Sequence, residues 1–126
     1  MKIVVIGKSG QLAWELARLA TDEIDIICLG REQIDISDQA SIQTVLSGLK
    51  PDAVVNASAY TAVDLAESES EQAYLLNATA VANLAEVCKT MAVHLVHVST
   101  DFVFGGQKGS PYLVDDAYAP LGVYGA

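Results

Sequence analysis

Two groups of residues in this sequence are of the right type and spacing to do chemistry. The first is Gly7-Lys8-Ser9-Gly10-Gln11-Leu12, which follows a β-branched apolar run and opens a segment of helical spacing. A glycine loop in that setting holds a diphosphate. Gly7 permits the tight turn, Gly10 lets the backbone approach a phosphate with no Cβ in the way, and the helix start offers free N–H groups. Ala13 stands where a third glycine is common, a position that asks only for close helix packing. Arg31 follows the second apolar run, where NAD-binding loops commonly carry an acid for the ribose 2′-hydroxyl. A guanidinium there suits the extra 2′-phosphate of NADPH, which it can pair bidentately. NADPH is therefore the expected cofactor, with NADH as the alternative. Asp35 and Ile36 are expected beside the adenine, one polar and one apolar.

The second group lies after the third and fourth apolar runs, Ala57-Ser58-Ala59-Tyr60-Thr61 and Ser99-Thr100-Asp101, with Tyr124 further on. In an open α/β sheet the ligand sits outside the carboxyl ends of the strands. Small residues after the third strand leave room for a nicotinamide ribose. A carbonyl that accepts hydride becomes an alkoxide, which needs a donor to stabilise it and an acid to protonate it. Thr100 and Tyr124 fit those two roles.

The elements that must position these groups are legible in the periodicity. Lys2 to Ile6, Ile24 to Leu29, Ala53 to Asn56 and Val93 to Val98 read as strands. Between them, Gln11 to Ala20 carries Leu12, Leu16 and Leu19 at helical spacing. A second helix from Ser37 or Asp38 presents Ile42, Val45, Leu46 and Leu49 and is stopped by Lys50-Pro51. A long helix from about Ser70 to Thr90 buries Ala73, Leu76, Ala80, Leu84 and Val87. Strands apolar at nearly every position, alternating with amphipathic helices, predict a doubly wound parallel sheet of the Rossmann type, β-α-β-α-β-α-β, covered on both faces. Gly105 to Pro120 reads as a loop. The chain reads as one dinucleotide-binding domain over 1–126, ending without a closing strand.

Composition narrows the class. With 126 residues and 52% hydrophobic content, one packed domain is expected. Sixteen acidic residues against seven basic ones give a formal charge of −9, which argues against nucleic acid as a partner. No apolar run approaches the roughly 18 to 20 residues that span a bilayer, so a cytoplasmic protein without a membrane partner is expected. Cys28 and Cys88 lack metal or redox spacing and read as reduced core residues. His94 and His97, three apart on a strand, point to opposite faces, so no metal is expected. Asn77, inside the long helix, is read as an anchor for a neighbouring backbone group. Glu15 is read as a surface residue, with a homodimer contact there as the alternative.

Taken in order, Gly7 to Leu12, Asp35-Ile36-Ser37-Asp38, Lys50-Pro51-Asp52, Asn56 to Asp64, Asn77-Ala78, Ser99 to Phe104, Pro120-Leu121 and Val123-Tyr124-Gly125 resemble the extended short-chain dehydrogenase/reductase superfamily. Within it they resemble the dTDP-4-dehydrorhamnose reductase family, over essentially the whole chain. The resemblance implies reduction of the 4-keto group of a dTDP-linked 6-deoxy sugar, with Thr100 polarising the carbonyl and Tyr124 donating the proton. It implies cofactor contacts from Gly7, Lys8, Ser9, Gly10, Gln11, Leu12, Arg31, Asp35, Ile36, Ala57, Ser58, Ala59, Tyr60 and Ser99. Sugar contacts are implied for Thr61, Val63, Thr100 and Phe102. The family's lysine, four residues after the tyrosine, would fall at position 128. Phe102 stands where the family commonly has tyrosine, and Gly122 where it has asparagine. Two rival readings stay open: a regulatory subunit similar to the β-subunit of methionine adenosyltransferase, and a nucleotide-sugar epimerase or dehydratase.

Overall fold

The computed structural model describes residues 1–126. Four parallel strands, β1 (Lys2–Ile6), β2 (Asp25–Leu29), β3 (Ala53–Asn56) and β4 (His94–His97), form one sheet in the order β2-β1-β3-β4. The chain leaves β1 toward β2 and then crosses back over β1 to reach β3, so the winding direction reverses between β1 and β3. Right-handed crossovers therefore place α1 (Gln11–Ala17) on one face and α2 (Gln39–Leu49) and α5 (Ala80–Thr90) on the other. This is the doubly wound Rossmann-type arrangement that the periodicity predicts.

The two faces are unequally filled. Val4, Ile6, Leu29 and Val54 meet Ile42 and Leu46 of α2 and Leu84, Val87 and Cys88 of α5 in the main core, which Ile34 and Ile36 complete. On the opposite face α1 buries Ala13, and Val5 is fully buried as well. Two expectations are corrected here. The first helix ends at Ala17 rather than Ala20, its last residues closing through turn bonds from Leu19 N to Leu16 O and Ala20 N to Ala17 O. Leu12 and Leu19 are exposed, because so short a helix can turn only Ala13 and Leu16 toward the sheet. The sheet is also not covered throughout: Val96 is 55% exposed and Val98 51%, since β4 pairs with β3 alone and no helix of the chain lies over these side chains.

Asp38 caps α2, its carboxylate accepting from Ala40 N at 2.9 Å. The long helix expected from Ser70 to Thr90 is present but interrupted. It runs as α4 (Ser70–Tyr74), a π turn (Leu75–Thr79) and α5, preceded by the short α3 (Val63–Ala66).

The end of α5 carries a Schellman motif. Val93 N donates to Cys88 O at 2.9 Å and Ala92 N to Lys89 O at 3.1 Å. Ala92 must adopt φ +56 to close it, a conformation that costs an L residue about 1–2 kcal/mol and glycine almost nothing. Ala92→Gly is therefore expected to raise stability by about 1 kcal/mol in urea unfolding, against the usual penalty for added glycine.

Candidate functional site

The strand register brings Leu29, Ile6, Asn56 and His97 into one row at the carboxyl edge of the sheet. The segments that follow these residues are therefore neighbours. Gly7 N and Lys8 N both donate to Leu29 O, at 3.0 and 3.2 Å, and Ala57 N donates to Ile6 O at 2.8 Å. Gly7 adopts φ +112, and a Cβ built there would lie 2.8 Å from Ala57 O and 2.9 Å from Ser58 N. The glycine is thus required twice, for its conformation and for the contact between two loops at the reversal point of the sheet. Gly10 has φ −81, and a Cβ there would meet nothing closer than 3.5 Å. Its value is an open approach toward the cavity rather than a special backbone angle.

One cavity, of about 280 Å³, joins the glycine loop to the ends of β2 and β3. Lys8, Ser9 and Gly10 line it with Arg31, Ile36 and the Ala57 to Ala59 segment. Arg31 makes no ion pair, whereas Lys8 Nζ lies 3.6 Å from Glu32 Oε1. Glu32, which the sequence reading passed over, folds against Gly30, where a Cβ would be 2.5 Å from its carboxylate. An acid therefore does stand beside the end of β2, adjacent to the arginine. Asp35 does not line this cavity. Its carboxylate accepts from Ser37 Oγ at 2.6 Å and Ser37 N at 2.9 Å, bonds that hold it below the usual carboxylate range. Ile34 lines the cavity in its place.

A second cavity, of about 340 Å³, shares Ala57, Ser58, Ala59 and Thr61 with the first and continues to Leu12, Ser99, Thr100 and Tyr124. Thr100 and Tyr124 thus meet in one space. Thr100 Oγ1 accepts from Phe102 N at 3.2 Å and makes only a long contact, 3.4 Å, to Asp101 Oδ1. Its proton is available to a carbonyl. Phe102 meets Tyr124 edge-on at 5.4 Å between centroids. Both rings, with Val63, line a third cavity of about 500 Å³ on the outer side of Tyr124.

Gln11 and Tyr60 line none of these cavities. The Tyr60 hydroxyl donates to Glu69 Oε2 at 2.8 Å, and desolvation together with that carboxylate raises its pKa. The Tyr60 backbone is clamped by Asn77, which accepts from Tyr60 N at 2.8 Å and donates to Tyr60 O at 3.0 Å. Asn77 sits in the π turn, so the extra helical residue is used to aim this amide at the loop after β3.

Two residues, Glu67 and Gly122, hold the backbone next to Tyr124, a role not legible in the sequence. Glu67 Oε1 accepts from Val123 N at 2.8 Å, and a Cβ at Gly122 would come within 2.6 Å of that oxygen. Gly122 therefore makes room for the carboxylate that pins the tyrosine's neighbour. The intervening loop is ordered by Phe104 stacked on Tyr112 at 4.1 Å, by the Lys108–Asp116 ion pair, and by Ala119 N donating to Val103 O at 2.9 Å.

Comparison with known proteins agrees in family. The model of the RmlD substrate binding domain matches residues 1–126. The dTDP-4-dehydrorhamnose reductase of Burkholderia thailandensis is 44% identical over the whole chain, which spans 42% of that relative's length. The crystal structure of a dTDP-4-dehydrorhamnose reductase from Bacillus anthracis in complex with NADP superposes with a TM-score of 0.94 at 32% identity, over 98% of this chain and 44% of that one. UDP-glucose 4-epimerase of Thermus thermophilus, at 20% identity and a TM-score of 0.83 over 99% of this chain and 46% of that one, shares the fold.

Gly7→Ala combines a positive φ with a backbone collision. It is expected to destabilise the chain by about 2 kcal/mol or more in urea unfolding. Gly10→Ala, by the same measurement, should cost well under half as much, since neither problem arises there.

Proposed function

The chain belongs to the family of the RmlD substrate binding domain, and on that premise we propose that the protein carrying it is an NADPH-dependent reductase of the 4-keto group of dTDP-4-dehydro-6-deoxy-L-mannose, yielding dTDP-L-rhamnose. The observation that carries this reading is the convergence of Thr100 and Tyr124 in a cavity that shares its wall with the glycine-loop cavity.

The residues present suit the dinucleotide. The cavity at the switch point of the sheet has two cationic side chains, Lys8 and Arg31, and a glycine whose missing side chain keeps the approach open. Lys8, Ser9 and Gly10 would hold the diphosphate, Arg31 the 2′-phosphate, and Ile34 and Ile36 an apolar ring face. Ala57, Ser58, Ala59 and Ser99 would border the nicotinamide ribose. When bound, NADPH supplies the hydride. Thr100, its oxygen oriented by the Phe102 N–H, donates a hydrogen bond to the sugar carbonyl and so favours the charge that develops on that oxygen. Tyr124, braced by Phe102 and by the Glu67 bond to Val123, delivers the proton to the same oxygen. Thr61, Val63 and Phe102 would border the sugar. The regulatory reading would use the same cofactor cleft without reducing a sugar, so activity is the deciding property.

With dTDP-4-dehydro-6-deoxy-L-mannose, the full-length gene product is expected to consume NADPH, read as absorbance loss. NADPH binding without that loss would replace this reading with the regulatory one. Thr100→Val and Tyr124→Phe should each lower kcat by about 10²-fold or more while leaving NADPH affinity unchanged. Arg31→Ala should reduce the preference for NADPH over NADH by about tenfold, as read from the two affinities.

A further inference from the structure

Asn56 and His97 are register partners at the ends of β3 and β4, and their side chains meet with Asn56 Nδ2 3.1 Å from His97 Nδ1. Asn56 is only 1% exposed, so its amide depends on protein partners. Its oxygen accepts from Ser58 Oγ at 2.6 Å and from Ser58 N at 3.1 Å. An oxygen facing two donors fixes which way the amide points, and the NH₂ is thereby turned to the imidazole. The imidazole nitrogen must accept, so it carries no proton. His97 itself is exposed on one side, and the partial desolvation on its Asn56 side acts in the same direction, drawing its pKa below the ordinary value.

Ser58 is where this chain of bonds reaches ligand space. It lines both the glycine-loop cavity and the Thr100–Tyr124 cavity, and its backbone nitrogen is one of the atoms against which Gly7 packs. The Ser58 hydroxyl proton is committed to Asn56, so toward the cavities it offers only lone pairs. Those match a ribose hydroxyl or a carboxamide N–H.

Resting on the cofactor reading above, we propose that neutral His97 is a positioning residue of the dinucleotide cleft: through Asn56 it holds the Ser58 turn on which the glycine loop rests, and protonating its Nδ1 weakens cofactor binding. A proton on Nδ1 sets two donors against each other. Flipping the Asn56 amide repairs that contact but turns the NH₂ against the Ser58 backbone N–H and makes the Ser58 hydroxyl accept instead of donate, so a hydrogen bond at the buried amide is lost either way. The titratable side chains sharing the cavity with His97 are Tyr74 and Tyr124. No Asp, Glu, Lys or Arg side chain lines it; Asn56 is the group in contact with the imidazole, and Asn77 of the π turn and Ser99 and Thr100 after β4 line the same cavity. The ordinary charge change of an imidazole falls in the range between about pH 5.5 and 7.5.

The test is NADP⁺ affinity by calorimetry across that pH range, in the full-length gene product and in His97→Gln. The glutamine oxygen can accept from Asn56 Nδ2 without titrating. The wild type is expected to lose about three- to tenfold more affinity on acidification than His97→Gln. Comparing the two cancels the titration of the 2′-phosphate itself. Parallel loss in both would overturn the proposal. No NADP⁺ binding at about pH 7.5 in the wild type would overturn the cofactor reading and this inference with it, a result distinct from binding with parallel pH curves. Should the variant fail to fold, the His97 ring can be followed by NMR in the wild type. Linkage requires saturating NADP⁺ to lower its pKa, and an unchanged pKa would overturn the proposal.

Discussion

The site depends on one contact, the packing of Gly7 against the Ala57–Ser58 peptide at the point where the sheet reverses its winding direction. A side chain at position 7 would force the glycine loop and the loop after β3 apart, because the nearest atoms are backbone and cannot swing aside. Both flanking cavities inherit their shape from that contact. Ser58, one partner in it, is held by a buried amide rather than by solvent-exposed groups. The shape of both cavities therefore depends on the end of β3, an element that carries neither the glycine loop nor the Thr100 and Tyr124 hydroxyls.

Electrostatics acts locally against the overall charge. A chain of formal charge −9 repels an anionic dinucleotide at long range, so attraction must come from groups within a Debye length, about 8 Å at physiological salt. Lys8 and Arg31 are the cations at the glycine-loop cavity. Lys8 is shared with Glu32 at 3.6 Å, an exposed pair of the kind worth about 0–1 kcal/mol, so an incoming phosphate can displace the carboxylate at little cost. Arg31 has no such competitor, which leaves it the less encumbered of the two.

Much of the fold was legible from the sequence because parallel strands buried on both faces are written as runs of Val and Ile, and β1 and β3 match their expected limits. The glycine loop was legible for the same local reason, lying between a recognisable strand and helix. The features that escaped are long-range. Asn77 was legible as a backbone anchor, but the π turn that aims it at a backbone amide and carbonyl seventeen positions away was not. The Asn56–His97 pair spans 41 positions and the Glu67–Val123 bond 56. Leu12 and Leu19 misled because helical spacing records which residues share a face, not where a short helix stops covering the sheet. Asp35 misled because its carboxylate is consumed by the turn at Ser37.

On the function proposed above, the two cavities meeting at Ser58 are one dinucleotide cleft, with its phosphate end at the glycine loop and its reactive end at Thr100 and Tyr124. A crystal structure of the full-length gene product with NADP⁺ tests it most directly. The diphosphate is expected over Gly7 to Gly10, the 2′-phosphate at Arg31, and the nicotinamide in the cavity shared by Thr100 and Tyr124. Density placing the nicotinamide away from that hydroxyl pair, or the diphosphate away from the glycine loop, would contradict it.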